Sequence, residues 1–392
     1  MRQCGMSQLT EDMVLGKSIY GKDGNLLLGA GFRLNQASIR RLKTLGYPSV
    51  YIMEEGTEEV IPEDIISDQI RMQTAANVSK AVEDVKRTTG ISGLGRGDIR
   101  KILEDENRLK RVVISPNLKA CVSNIIEDLI ASNGNLLTTA FMKTRGNFAT
   151  QHALDVAILS IILGRKYHCN KDDLMAIGLG ALLHDFGKIA VPGYLQENEQ
   201  KPTPEEQELL REHPTFGYLM LSKISGISLL EAHIAYQHHE HQDGEGFPRG
   251  LTGDNTPPIE AVSRTSNILR HAEIVAVANA YDNLTSDTPT SEALSAETAM
   301  KRLIQDAGSK LNKDIVAMAN RVIPVFPVGA TVKVVDCRDR SRIGCLGVVA
   351  TVREESLNAP EVILLFDRFG RRIPSQRIDI SEENTLRIEL VL

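Results

Sequence analysis

Histidine and carboxylate side chains crowd into two short stretches of this chain, and that crowding constrains its fold more than any other feature. The first stretch, Gly178 to Pro192, reads GLGALLHDFGKIAVP, with His184 and Asp185 interrupting an apolar helical run and Lys188 following the histidine. The second, His238 to Pro248, reads HHEHQDGEGFP. Four of the nine histidines fall in these two segments. His152 lies upstream and His213 between them. A fold that uses these residues together has to bring distant helices to one point, and metal binding is the first reason to test.

Neighbouring side chains on a helix point about 100° apart. A His-Asp pair is therefore poorly placed to chelate one ion, but it can serve two ions a few ångströms apart, the carboxylate bridging and the imidazole holding one. Two-metal sites of this kind recur in phosphoester hydrolases. His238 and His239 repeat the adjacent pair. Lys188 stands one helical turn from His184, on the same face, where a cation neutralises a phosphate. A mixed imidazole and carboxylate set suits iron, manganese, nickel or zinc rather than calcium. A lone histidine is more often a satisfied core or surface residue; two adjacent pairs in one helical region reverse that balance.

The rest of the chain sets bounds. A length of 392 residues accommodates two or three domains. A net charge of −6 argues against a dedicated nucleic-acid surface, and the absence of Trp argues against base-stacking platforms. Five scattered cysteines without a CxxC fit free thiols in a reducing compartment. No apolar run of membrane-spanning length and no leader pattern is present, which predicts a cytoplasmic protein with no membrane or DNA partner.

Taken in order, residues 1–62 read as a small α/β unit: a strand over 13–20, an Asp23-Gly24 turn, a strand over 26–28, a helix over 37–45 stopped by Gly46, and a strand over 49–52. Nothing in it carries chemistry, so it reads as structural or regulatory. Residues 63–135 read as a helical linker, with helices over 65–86, 99–109 and 117–132. Its Gly-rich stretch, residues 88–97, lacks the preceding strand that a phosphate loop requires. Residues 136–324 read as five to seven helices. One start is marked by Thr203, Pro204 and Glu206, a capping box with proline at the first position, and Pro214 is expected to end that helix. Residues 325–392 read as a β cap with antiparallel strands over 330–335, 347–352 and 361–366. The arginines of this tail read as a solvated face.

LLHDFGK together with His152, His213 and HHEHQDGEGFP resembles the HD-GYP family of HD-superfamily phosphohydrolases, from His152 to about Pro289. The flanking MVLGKSIY…DGNLLLGAG and FPVGATVKVVD segments are similar to ones that accompany this domain. The resemblance implies an α+β multidomain chain whose central, all-α HD-type domain hydrolyses cyclic di-GMP, a bacterial second messenger, to linear pGpG or GMP. It places the metal ligands at His152, His184, Asp185, His213, His238, His239 and Asn279. Asp185 and Lys188 become the catalytic pair, and Lys188, Gly246, Phe247 and Pro248 face the substrate. The cofactors implied are two divalent transition metal ions, iron or manganese, with nickel and zinc as alternatives.

Four departures from the family pattern bear on that expectation. Asn279 stands where the family has a metal-binding aspartate, and Phe247 where it has the signature tyrosine. The uncharged Thr288-Pro289-Thr290-Ser291 stands where basic residues usually grip substrate, and Phe148 where some members carry a glutamate for a third metal. Arg264 and Arg270 are candidates to replace the missing grip, although solvated arginines are the plainer interpretation. A second function follows from Asn279 and the lost basic residues: a degenerate domain that binds a nucleotide or a signalling protein partner without hydrolysis. A third keeps hydrolysis but changes the nucleotide substrate. Helical domains of this sort also self-associate, so a homodimer is compatible with the sequence, but no heptad run marks an interface.

Overall fold

The computed structural model describes residues 1–21, 26–62, 64–91, 96–112, 114, 117–132, 148–193, 195, 202–258, 267–287, 291–383 and 385–391. These form two compact units, one from Met1–Ile65 and Arg321–Leu392, the other from Ile66–Asn135 and Ala149–Asn320.

In the first unit β1 (Arg2–Gly5), β2 (Val14–Leu15) and β5 (Ser49–Met53) make an antiparallel sheet in the order β1-β5-β2. A separate hairpin pairs β3 (Ile19–Tyr20) with β4 (Leu26–Leu28). The expected strand over 13–20 is thus two short strands serving different sheets, and its Asp23-Gly24 turn lies outside the described residues. Helix α1 (Gln36–Thr44) carries a capping box between Asn35 and Ser38, and the chain leaves it through Gly46 at φ 78°.

The C-terminal segment folds as five antiparallel strands in the order β10-β6-β7-β8-β9: β6 (Thr331–Asp336), β7 (Leu346–Thr351), β8 (Glu361–Phe366), β9 (Arg372–Asp379) and β10 (Arg387–Leu390). The three strands expected from the sequence are the centre of this sheet, where β-branched side chains are buried. The two ends of the chain share this unit: the Gln3 N–H donates to the Gly329 carbonyl, and the Thr331 hydroxyl donates to the Gln3 carbonyl. Several tail arginines are ion-paired within the unit, Arg372 with Glu54 (2.9 Å), Arg377 with Glu361 (2.8 Å) and Arg353 with Asp379 (2.7 Å), and so are more than a solvated face.

The second unit is helical. It runs α2 (Asp68–Thr89), α3 (Arg96–Glu104), α4 (Glu106–Leu109), α5 (Asn117–Ala131), α6 (Phe148–Lys166), α7 (Lys171–Leu182), α8 (Pro204–Leu210), α9 (His213–Leu221), α10 (Leu229–Gln237), α11 (Arg270–Leu284), α12 (Ala296–Asp306) and α13 (Lys313–Ala319). Among the described residues eight of these lie beyond residue 136, one more than the upper expectation. The difference arises at Pro214. The capped helix ends at Leu210, and Pro214 sits in the first turn of a new helix, where its missing N–H costs nothing. The helix expected over 99–109 is likewise two, because Asp105 caps α4 with its side chain.

Helix α6 is a buried helix of this unit. Every residue from Gln151 to Gly164 is buried, so it lacks the polar face of a surface helix. Helices α7, α10 and α11 pack against one another; α6 meets α7 at Gly164 and Gly178 and α11 through His152 and Asp282. Among the described residues no helix is long and apolar enough to cross a membrane, and all five cysteines are free thiols.

Candidate metal centre

His184, His213 and His238 each stand just beyond a helix C-terminus, of α7, α8 and α10 respectively. The last carbonyls of a helix have no partner within it. Each histidine turns Nδ1 back to one of them: His184 to Ala181 (2.7 Å), His213 to Leu210 (2.6 Å) and His238 to Ala235 (2.9 Å). A carbonyl only accepts, so each Nδ1 carries the proton and each Nε2 presents a lone pair. His152, inside α6, reaches the same state differently. Its Nδ1 faces Asp282 Oδ2 of α11 at 2.6 Å, a carboxylate that fixes the tautomer from behind.

The four Nε2 atoms converge. His152 and His184 approach at 3.2 Å, His213 and His238 at 3.4 Å. Lone pairs facing each other at such distances repel unless a cation lies between them. Asp185 sits among them with its oxygens divided. Oδ2 is 3.5 Å from His152, 3.4 Å from His184 and 2.6 Å from Lys188 Nζ. Oδ1 is 3.3 Å from His213 and 3.8 Å from His238, and it is buried with no hydrogen-bond partner.

Two groups result, His152-His184-Asp185 and Asp185-His213-His238-His239, with the ligand atoms of each within 4.8 Å of one another. Asp185 belongs to both. This His/Asp cluster therefore offers the donors that divalent metal ions require, and its orphaned carboxylate oxygen and opposed lone pairs fit that occupant.

The electrostatics agree with a ligand set. Burial, reinforced by the neighbouring imidazoles, holds His238 and His239 well below the usual histidine range, and burial also lowers His184. Burial opposes ionisation of Asp185, but Lys188 and His184 overcome it and hold the carboxyl well below its usual value. His152 goes the other way: burial disfavours its charge, but hydrogen bonds to Asp185 and Asp282 outweigh that and raise it.

The His-Asp pair departs from the expectation in one respect. Helix α7 ends at Leu182, and a 3₁₀ turn (Phe186–Ala190) follows, so the pair lies between two helical segments rather than within one. Its side chains converge instead of diverging.

The sequence profile of the HD-domain family matches residues 124–315, which contain all of these side chains. A Pseudomonas aeruginosa protein named cyclic di-GMP phosphodiesterase PA4108 is 25% identical over 368 residues, covering 92% of this chain and 83% of that protein. Residues 124–315 thus carry an HD domain. A Thermotoga maritima relative named cyclic di-GMP phosphodiesterase is 35% identical over 42% of this chain and 42% of its own length. A Vibrio cholerae relative named 3'3'-cGAMP-specific phosphodiesterase 3 is 25% identical over 49% of this chain and 39% of its own length.

The loop that holds Gly246, Phe247 and Pro248 packs against the second ligand group. Phe247 stacks on the His239 imidazole, with ring centroids 4.7 Å apart and planes 13° from parallel. Buried Glu240 shapes the loop by accepting from the Arg249 and Leu251 N–H groups, both at 2.8 Å. Gly246 closes it, since a Cβ there would lie 2.2 Å from the His241 nitrogen. Gln242 ties the loop to α11, donating to Glu273 Oε1 (2.6 Å) and accepting from the Asn255 N–H (3.1 Å). His241 belongs to neither ligand group.

Burial pushes the Glu273 carboxyl up to about 7, against the lowering pull of hydrogen bonds from Gln242 and Asn312. A raised carboxyl contributes stability that is full below its ordinary range, near 4.3, and is lost as pH rises through about 7. Glu273→Gln cannot ionise. We therefore expect wild-type stability in urea to fall relative to this variant between about pH 5 and pH 8, by up to about 3 kcal/mol. Parallel pH profiles would contradict this.

The Asn279 carboxamide oxygen accepts from the Asn283 side-chain N–H (2.7 Å). Arg270 pairs with Asp173 (3.3 Å), as does His271 (2.8 Å), so Arg270 is committed to joining α7 and α11 rather than free to grip substrate. Arg264 and Thr288–Thr290 lie outside the described residues. Sequence reasoning missed Asp282, although it lies one turn after Asn279 in the same helix; its partner His152 is 130 positions away, and only the fold joins them. Asp282→Asn should loosen the His152 tautomer and weaken metal affinity or turnover by about 10- to 100-fold. Metal titration of the apoprotein checks this, and unchanged affinity would show that Asp282 is only a packing residue.

Proposed function

We propose that this chain is a metal-dependent phosphodiesterase that opens cyclic di-GMP to the linear dinucleotide, or onward to GMP. The observation that carries the proposal is the convergence of four imidazole lone pairs on the two oxygens of one carboxylate. The names of the relatives above, which act on cyclic di-GMP or 3'3'-cGAMP, support the substrate class.

In this proposal His152, His184 and Asp185 would hold one divalent ion, and Asp185, His213, His238 and His239 the other; the donor set suits iron, manganese, nickel or zinc, and the family resemblance implies iron or manganese. Such ions supply Lewis acidity toward phosphoryl oxygens and water near neutral pH. The chain supplies the rest. Asp185 keeps the two ligand groups in register, and Asp282 locks His152 so that Nε2 faces inward. Lys188, 40% exposed along its side chain and 2.6 Å from Asp185, is placed to offset negative charge on a reacting phosphate. Phe247 closes one wall beside His239. Asn279 accepts from Asn283 and keeps a second lone pair on its oxygen, a neutral donor where a carboxylate would bring charge.

The test is to reconstitute the protein anaerobically with ferrous iron or manganese, incubate it with cyclic di-GMP and with 3'3'-cGAMP, and separate the products. Linear dinucleotide from cyclic di-GMP, lost on chelation, is the expected result. A faster reaction with 3'3'-cGAMP would reassign the substrate within the class. No turnover of either by fully metallated protein would contradict the proposal, and activity only in Asn279→Asp would mean that the native chain has given up catalysis.

A further inference from the structure

Arg211 lies two residues before His213, at the C-cap of α8. Its guanidinium carbon sits 4.6 Å from the centroid of the Phe247 ring. The same ring stacks on His239, so an Arg–Phe–His column runs outward from the imidazole cluster. It ends at a cleft of about 390 Å³ lined by Arg100, Glu208, Arg211, Glu212, Thr215 and Pro248, two arginines and two glutamates among them. Arg100 is held by Glu212 at 3.1 Å. Arg211 is exposed, and among the described residues it has no carboxylate within ion-pair distance.

A guanidinium stacked by its face keeps its N–H edge free, and that planar fork matches two oxygens of a phosphodiester. Phenylalanine suits the stack: without a hydroxyl, the ring offers only its faces. A cyclic dinucleotide carries two phosphodiesters, and when one is at the imidazole cluster the other has to be held away from it.

Building on the proposed function, we propose that Arg211 binds the non-reacting phosphate of the cyclic dinucleotide in this cleft, with Phe247 as its platform. Arg211 is thus a substrate-binding residue that selects ligands carrying a second phosphate, and the cleft is the subsite for the half of the substrate that is not cleaved.

The experiment compares Arg211→Ala and Arg211→Lys with wild type on cyclic di-GMP and on bis(p-nitrophenyl) phosphate, which has one phosphate only. For Arg211→Ala, KM for cyclic di-GMP should rise about 10- to 100-fold, the scale of hydrogen bonds to a charged group, while kcat changes far less. Lysine should recover part of the loss, because it keeps the charge without the fork. The penalty on the one-phosphate diester should be smaller by about tenfold or more. Phe247→Leu combined with Arg211→Ala should be little worse than Arg211→Ala alone, as for two residues acting as one unit. An unchanged KM for cyclic di-GMP, or equal losses on both diesters, would overturn the proposal. If the wild type turns over neither substrate, the phosphodiesterase proposal fails separately, and equilibrium binding of cyclic di-GMP decides this one. Weaker binding by Arg211→Ala, by about tenfold or more, would support it; equal binding, or none by the wild type, would overturn it.

Discussion

Asp185→Asn is expected to lose both bound metal and turnover while keeping its fold. Asp185 is the one side chain common to both ligand groups, with one oxygen toward His152 and His184 and the other toward His213 and His238. The amide is neutral, and its NH₂ cannot act as a ligand. It can, however, donate to the facing imidazole lone pairs. The metal-free variant should therefore melt no lower than metal-free wild type, because a buried acceptor without a partner becomes a satisfied donor. Hydrolysis should fall by roughly 10³-fold or more, as when a single preorganised electrostatic group is removed from an active site. Elemental analysis, melting temperature and single-substrate kinetics on one preparation measure all three. Full activity in this variant would mean that catalysis does not run through the shared carboxylate.

Gly187→Ala should be the most damaging substitution outside the ligands. Gly187 lies in the 3₁₀ turn directly after the His-Asp pair, pressed against the start of α9. An added Cβ would lie 1.8 Å from the His213 carbonyl oxygen and 2.5 Å from the Gly217 nitrogen. Both are backbone atoms, so no rotamer change relieves the overlap, and the turn has to move away from the helix. We expect a loss of about 3 kcal/mol, at the upper end of overpacking costs. Metal affinity should fall with it, because the turn directly follows His184 and Asp185 while the helix begins with His213. Chemical denaturation and metal titration report the two effects. A variant as stable as wild type would show that the turn and helix are not in backbone contact.

The clustering of these side chains was legible in the sequence because its chemistry is concentrated in rare residue types. His184-Asp185 and His238-His239 stand out in a chain with only nine histidines. The capping box at Thr203 and Glu206 was legible for a local reason, its geometry being set within four residues. The centre of the C-terminal sheet was legible from its β-branched runs.

What the sequence hid depends on non-local pairing. The strand β1, Arg2–Gly5, has no alternating pattern and exists because β5 pairs with it. The strands β9 and β10 are the edges of their sheet, and β9 is mostly exposed, so burial leaves little periodic signal in it. The orientation of the His-Asp pair was misjudged because α7 ends sooner than its apolar run suggests. Asp282 and Arg211 looked like ordinary polar residues until the fold set them against His152 and Phe247.

The most direct measurement is the metal stoichiometry of protein loaded anaerobically with ferrous iron, for wild type beside His213→Ala and His152→Ala. With Asp185 shared between two ligand groups, the wild type should hold two ions per chain, and each variant should lose about one while retaining the other more weakly. A wild type that binds no metal, or variants that keep the full complement, would contradict the assignment of this cluster as the metal centre.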